Sequence, residues 1–165
     1  MKLNIFGNIF GTSGFSLHTR QLFNSLVKEG IDCRLQTQLP ENWVRMVNDD
    51  ELAGINKTME RDRTTIFIGH PQYLPLAWNE SDNCIPFVVF EGSHVPKYWL
   101  KHLLDERIKL IFVPSKHCKD AIMNTHFESI PEEDIDGNKV KNMNKHSLFH
   151  KKIKIISHGV STELF

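Results

Sequence analysis

The feature that most constrains the fold is the way the chain opens. Lys2 to Phe10 forms an apolar run, with Leu3, Ile5, Phe6, Ile9 and Phe10 as its body. A turn with two glycines follows, Gly11-Thr12-Ser13-Gly14. Phe15 to Glu29 then places Phe15, Leu22, Phe23, Leu26 and Val27 at helical spacing. Gly30 stands where a helix C-terminus takes a left-handed residue. Ile31 to Thr37 reads as the next strand. Strand, glycine turn, helix, glycine and strand make a βαβ unit, which commits the start of the chain to a parallel sheet.

The rest of the chain continues the alternation less evenly. Asn42 to Met59 is predicted to hold one or two short helices, with Asn48 or Asp49 as a cap before Leu52 and Ile55. Strands are predicted at Thr64 to Ile68, Pro86 to Phe90, Ile108 to Val113 and Ile153 to Ile156. Helices are predicted at Lys97 to Glu106 and from a Ser115 N-cap to about Thr125. Uninterrupted apolar strands alternating with helices indicate a Rossmann-like, doubly wound α/β domain covered on both faces. Ligands in such sheets lie beyond the carboxyl ends of the strands. Here those ends are Gly11 to Gly14, Gly69 to Pro71, Glu91 to His94, Pro114-Ser115 and Ser157 to Gly159. The domain is expected to run over residues 1–157, with an interdomain linker starting at 158–165. Phe127 to Lys152 breaks the pattern, acidic first and then basic. It reads as an exposed insertion or loop, with docking to a partner or to a membrane surface as the alternative.

Composition narrows the function classes. The 165 residues fit one domain, of which 40% are hydrophobic and 24% charged, a globular balance. Lys plus Arg equals Asp plus Glu at 20 each, which argues against nucleic acid as a partner. Cys33, Cys84 and Cys118 match no zinc or redox spacing and read as reduced, buried thiols. With no leader-like N-terminus and no membrane-length apolar run, the expected compartment is the cytoplasm.

Several residues could carry chemistry. Gly11 and Gly14 lack the lysine of a P-loop and the third glycine of the dinucleotide fingerprint. Small residues before a helix still let an anion approach its N-terminus, and a bare strand-to-helix turn is the alternative. His70 stands at a strand end before a proline, where it could serve a site or simply cap the loop. Glu91 directly follows an apolar strand, where a carboxylate needs a partner or a use. His94 lies three residues on. No metal site is predicted: the nine histidines form no convincing ligand motif, His146 and His150 included. No nucleophile elbow is present.

Four stretches together resemble the N-terminal domain of retaining GT-B glycosyltransferases, family 4 or group 1 type. They are the opening through Lys28-Glu29-Gly30; Val89-Phe90-Glu91-Gly92-Ser93-His94-Val95-Pro96 with Trp99; Ile111-Phe112-Val113-Pro114-Ser115-Lys116-His117-Cys118-Lys119; and Lys154 to Phe165. The chain departs from the family at Ser161, where Asp is common, in its sparser glycine turn, and in the 127–152 insertion.

The resemblance implies an acceptor-binding N-terminal half of an enzyme that moves a sugar from a nucleotide-sugar donor with retention. Gly11, Thr12, Ser13 and Gly14 would approach the donor diphosphate. His70, Glu91 and His94 would be the catalytic candidates, and Phe15, Ser93 and His158 would line the acceptor side. No separate cofactor is implied. The donor site would belong mainly to a second GT-B domain in cis or in trans, and the acceptor would be a sugar, lipid or protein. A non-catalytic binding module that docks a partner protein is the main rival, and an inverting GT-B enzyme is another. A nucleotide-binding oxidoreductase is disfavoured by the missing glycine and by Thr37 and Gln38, where that class places an acidic residue.

Overall fold

The computed structural model describes residues 1–10, 13–37, 48–55, 57–128, 149–150 and 152–158. It has the α/β, Rossmann-like architecture expected from the sequence, with helices alternating with parallel strands. The chain divides into two compact units, Met1–Phe87 and Val88–Phe165.

The first unit is built on β1 (Lys2–Gly7), α1 (Gly14–Lys28), β2 (Asp32–Gln36), α2 (Asp49–Ile55), β3 (Thr64–Ile68), α3 (Leu74–Trp78) and β4 (Asn83–Phe87). Its strands lie in the order β2-β1-β3-β4, all parallel. The chain thus winds outward from β1 to β2, then returns past β1 to β3 and β4, so the winding reverses between β1 and β3. In register, Ile5 lies between Leu35 and Ile66, and Phe6 lies between Gln36 and Phe67. Neighbouring side chains on a strand point to opposite faces. Both faces of β1 are therefore buried, with Ile5 and Asn4 both fully inside. Each large apolar side chain buried in this way contributes roughly 1.5–3 kcal/mol.

Local signals fix the helix ends. The Ser13 hydroxyl accepts from the Ser16 N–H at 3.2 Å and starts α1. At the other end, the Gly30 N–H reaches the Val27 carbonyl and the Ile31 N–H reaches the Leu26 carbonyl. These two bonds form a Schellman closure, which requires the positive φ of 74° that Gly30 adopts. Asn48 caps α2, as one of the two expected candidates. Its Oδ1 accepts from the Glu51 N–H, and the Glu51 carboxylate accepts from the Asn48 N–H in return.

Helix α1 lies unusually close to β1. A Cβ on Gly7 would stand 2.8 Å from Thr19 Oγ1 and 2.9 Å from the Ile68 carbonyl oxygen. Ser16 and Thr19, the α1 residues on that side, are small and fully buried. Gly54 has the same character on α2, where a Cβ would meet the Phe23 ring at 2.4 Å.

At the amino ends of β2 and β3, Arg63 is buried between two carboxylates. It donates to Glu60 at 2.5 Å and to Asp32 at 2.8 Å. Arg34 also pairs with Glu60. Hydrogen bonding from Arg63 holds both Asp32 and Glu60 below the ordinary carboxylate range.

The second unit contains α4 (Lys97–Leu103), β5 (Ile111–Val113), α5 (Lys116–Glu128) and β6 (Ile153–Ile155). β5 and β6 are parallel, and the Val88 N–H donates to the Phe112 carbonyl at 2.8 Å beside them. Trp99, Leu100, Leu103, Ile108, Ile122 and Ile153 form its buried core. The Ser115 hydroxyl accepts from the Cys118 N–H at 3.2 Å, the expected cap of α5.

Several boundaries differ from expectation. β1 stops at Gly7 rather than Phe10, because the Asn8 side chain accepts from the Phe10 N–H and turns the backbone. β4 covers Asn83–Phe87 rather than Pro86 to Phe90, since Phe90 leaves the strand direction to pack edge-on against Trp99 at 5.4 Å. β5 begins at Ile111 rather than Ile108, where the Ile108 N–H closes a turn on the Asp105 carbonyl. That same turn ends α4 before Glu106. Helix α3 and the 3-10 turn before it, Pro71–Tyr73, were not anticipated. The insertion expected at 127–152 starts inside α5, which extends to Glu128. Phe149 is buried against His126 at 4.7 Å between ring centroids, while residues 129–148 lie outside the described residues.

Two predictions follow from this packing. Gly7→Ala forces Thr19 or the Ile68 backbone to move and should cost about 1–3 kcal/mol in urea unfolding. Gly14→Ala, whose Cβ meets no described atom within 4 Å, should change stability by less than about 0.5 kcal/mol. Equal effects of the two substitutions would show that α1 does not bear on Gly7. The second concerns acid. Carboxylates held low in the folded state add stability above their unfolded values of roughly 4, and that stability fades as pH falls through the folded values. The wild-type urea midpoint should therefore be flat near neutrality and fall in acid, and Arg63→Met should flatten the acid limb. Parallel pH curves for the two proteins would contradict this role of Arg63.

Candidate functional site

The reversal of winding between β1 and β3 lies within the first unit, and open α/β sheets bind ligands at the carboxyl side of such a point. Gly7 and Ile68 are register partners there. Beyond them the backbone leaves β1 through Asn8, Ile9 and Phe10, and α1 holds that exit. The Ser16 hydroxyl donates to the Phe10 carbonyl at 2.9 Å, and Arg20 Nη1 donates to the Ile9 carbonyl at 2.6 Å. Ser13 Oγ lies 2.9 Å from Ser16 Oγ. The start of α1 is thus pinned to the strand it follows.

On the β3 side, His70 directly precedes Pro71, and its carbonyl accepts from the Tyr73 N–H at 2.9 Å. The Phe15 ring meets the His70 ring edge-on, with centroids 5.0 Å apart. Ser13, Gly14 and His70 are exposed and Phe15 is half-buried. The structure thereby brings together Phe15, at the first turn of α1, and His70, at the end of β3. Among the described residues, none comes within 4 Å of the Gly14 Cβ position at the helix start. The N-terminal end of this 15-residue helix carries a partial positive charge, and its first-turn N–H groups have no partner within the helix, that of Ser16 being capped by Ser13. Gly11 and Thr12 lie outside the described residues.

The other candidates belong to the second unit. Glu91, Ser93 and His94 are exposed on the loop between Val88 and α4, and Ser93 Oγ lies 3.0 Å from His94 Nδ1. Helix α5 holds this loop. His117 Nε2 donates to the Glu91 carbonyl at 2.9 Å, and Asn124 Nδ2 donates to the Ser93 carbonyl at 3.2 Å. The Cys118 thiol donates to the Phe90 carbonyl at 3.1 Å, and the Thr125 hydroxyl reaches the Val95 carbonyl at 3.0 Å. His158 is exposed, two residues past Ile156, whose N–H donates to the Val113 carbonyl.

Sequence reasoning missed Gly7, Ser16 and Thr19, although a glycine inside a strand signals close backbone approach. It also missed His117 and Asn124, whose partners are backbone atoms far away in sequence and leave no motif.

The three cysteines are free and buried. Burial pushes the Cys33 thiol up to about 11 and the Cys84 thiol to about 12, so neither is a nucleophile near neutral pH. Among the described residues, no group of three or more His, Cys, Asp or Glu side chains could hold a metal ion. No described helix is long and apolar enough to cross a membrane.

Compared with protein-family models, curated proteins and solved structures, the chain matches none. Its class is defined by its own architecture: an α/β protein of Rossmann-like fold, with a pinned strand-to-helix turn at the point where the winding reverses.

Proposed function

We propose that this chain is the acceptor-side domain of a cytoplasmic glycosyltransferase of the GT-B type, acting with retention on a nucleotide-sugar donor. A second domain, in cis or in trans, supplies most of the donor site. The observation that carries the reading is the contact between Phe15 and His70, which joins the first turn of α1 to the histidine at the end of β3. Supporting it are the accessible start of α1 and the polar loop of Glu91, Ser93 and His94.

In this reading the Gly11-to-Gly14 turn lies against the donor diphosphate, where the N-terminus of α1 favours negative charge. Transfer from a glycosyl donor passes through an oxocarbenium-like state. The domain's part is to position the acceptor and to stabilise charge on the departing diphosphate as the two domains close. His70 lies beside the reacting sugar. The reading assigns acceptor contacts to Phe15 in the first unit and, by itself, to the polar loop of Glu91, Ser93 and His94, with His158, in the second.

Gly14→Val tests the reading, because a Cβ at Gly14 meets no described atom within 4 Å, and an unchanged urea midpoint separates an effect on the site from an effect on the fold. In the two-domain enzyme, kcat/KM for sugar transfer should fall by about tenfold or more, since small misplacements of the reacting groups are costly. Unchanged kinetics would remove the turn from the donor site. A wild-type protein that binds no nucleotide sugar but forms a stable complex with another protein would replace this reading with a docking module.

A further inference from the structure

The loop that carries Glu91, Ser93 and His94 lacks regular secondary structure, yet α5 engages most of its carbonyls. Along it, the Phe90, Glu91, Ser93 and Val95 carbonyls accept from Cys118, His117, Asn124 and Thr125 respectively. The Val95 N–H returns one bond to the Ala121 carbonyl at 3.4 Å. The four donors are 117, 118, 124 and 125, two pairs separated by two helical turns. They form a row of donors along one side of α5. Cys118 and Thr125 are buried and contribute to packing as well as to hydrogen bonding. His117 and Asn124 differ: both are exposed, so their side chains fill no core space. What each contributes to the loop is a donor aimed at one carbonyl.

A carbonyl can only accept, so the Glu91 contact requires the proton on Nε2 of His117. The two exposed donors bracket Gly92. A Cβ at Gly92 would stand 2.7 Å from the Phe90 ring, so the loop is also tight against its own aromatic neighbour. Anchored on both sides of Gly92, the loop has little freedom to turn Ser93 and His94 away from their present direction.

We infer that His117 and Asn124 are positioning residues that set the orientation of the Glu91 carboxylate, the Ser93 hydroxyl and the His94 imidazole. The inference rests on the proposed acceptor-side role of that loop. Loss of either donor releases one carbonyl and lets the Ser93–His94 pair rotate, without opening the core beneath.

The test compares His117→Phe, His117→Gln and Asn124→Leu with wild type in the full chain. Glutamine keeps a donor near the position of Nε2, whereas phenylalanine keeps only the ring. The first readout is the 15N spectrum of the His94 ring, which reports its tautomer, together with hydrogen exchange of the Val95 amide. His117→Phe and Asn124→Leu should shift the His94 tautomer ratio and speed Val95 exchange by up to about tenfold, the worth of one net hydrogen bond. His117→Gln should match wild type, and the thermal midpoints of the two donor-deleting variants should fall by no more than the few degrees that one hydrogen bond is worth. A residue that only stabilised the fold would lower the midpoint and leave the His94 spectrum alone. Unchanged His94 and Val95 signals in both donor-deleting variants would overturn the inference.

The second readout is sugar transfer by the two-domain enzyme, where kcat should fall while KM for the donor holds. A moved loop with unchanged transfer would also overturn the inference, by detaching the loop from catalysis. If wild type transfers no sugar, the acceptor-side reading fails, and the first readout alone decides whether α5 orients the loop.

Discussion

Much of the first unit depends on how closely α1 can approach β1. The space at Gly7 admits no Cβ, and the two α1 residues nearest it, Ser16 and Thr19, are small enough to bury completely. That approach places the first turn of α1 just past the carboxyl end of β1. It also brings Ser16 and Arg20 within reach of the carbonyls that leave the strand. A bulkier residue at Gly7 would lift the helix and separate these bonds together. The position of Phe15 against His70 is therefore a consequence of packing some distance below it.

Both candidate loops obey one rule. Irregular backbone near a core must satisfy its polar groups, and here neighbouring helices supply the donors. In the first unit, Ser16 and Arg20 of α1 hold the exit of β1. In the second, α5 holds the loop from Phe90 to Val95. The result in each case is a short polar segment kept in place by a regular element, an arrangement suited to presenting side chains to a ligand. The buried Arg63 between Asp32 and Glu60 serves the amino ends of β2 and β3, where its role is structural.

The sequence was most legible where a local rule leaves little choice. β3 matched its expected residues, and Gly30, Asn48 and Ser115 act at helix ends as expected, whereas the Ser13 cap was not read. It was least legible where a distant partner decides. Phe90 continues an apolar run and reads as strand, but Trp99 draws it out of line. Pro71 and Pro75 lie in the first turns of two helical segments, a position that suits proline but that gives no helical periodicity to read. Phe149 sits in a stretch of charged residues, and only its contact with His126 shows it to be buried. Of the candidate site, the sequence offered Phe15 and His70 separately. Their contact depends on strand order, which periodicity does not encode.

The central claim is that the reversal between β1 and β3 receives an anionic ligand at the start of α1. Amide chemical shifts followed by NMR during titration with pyrophosphate, uridine diphosphate and a uridine diphosphate sugar test it most directly. The account predicts perturbations concentrated at Ser13, Gly14 and Phe15, and at Gly69 and His70. Perturbations confined to Arg34 and Arg63 near the amino ends of the strands, or none at the start of α1, would contradict it.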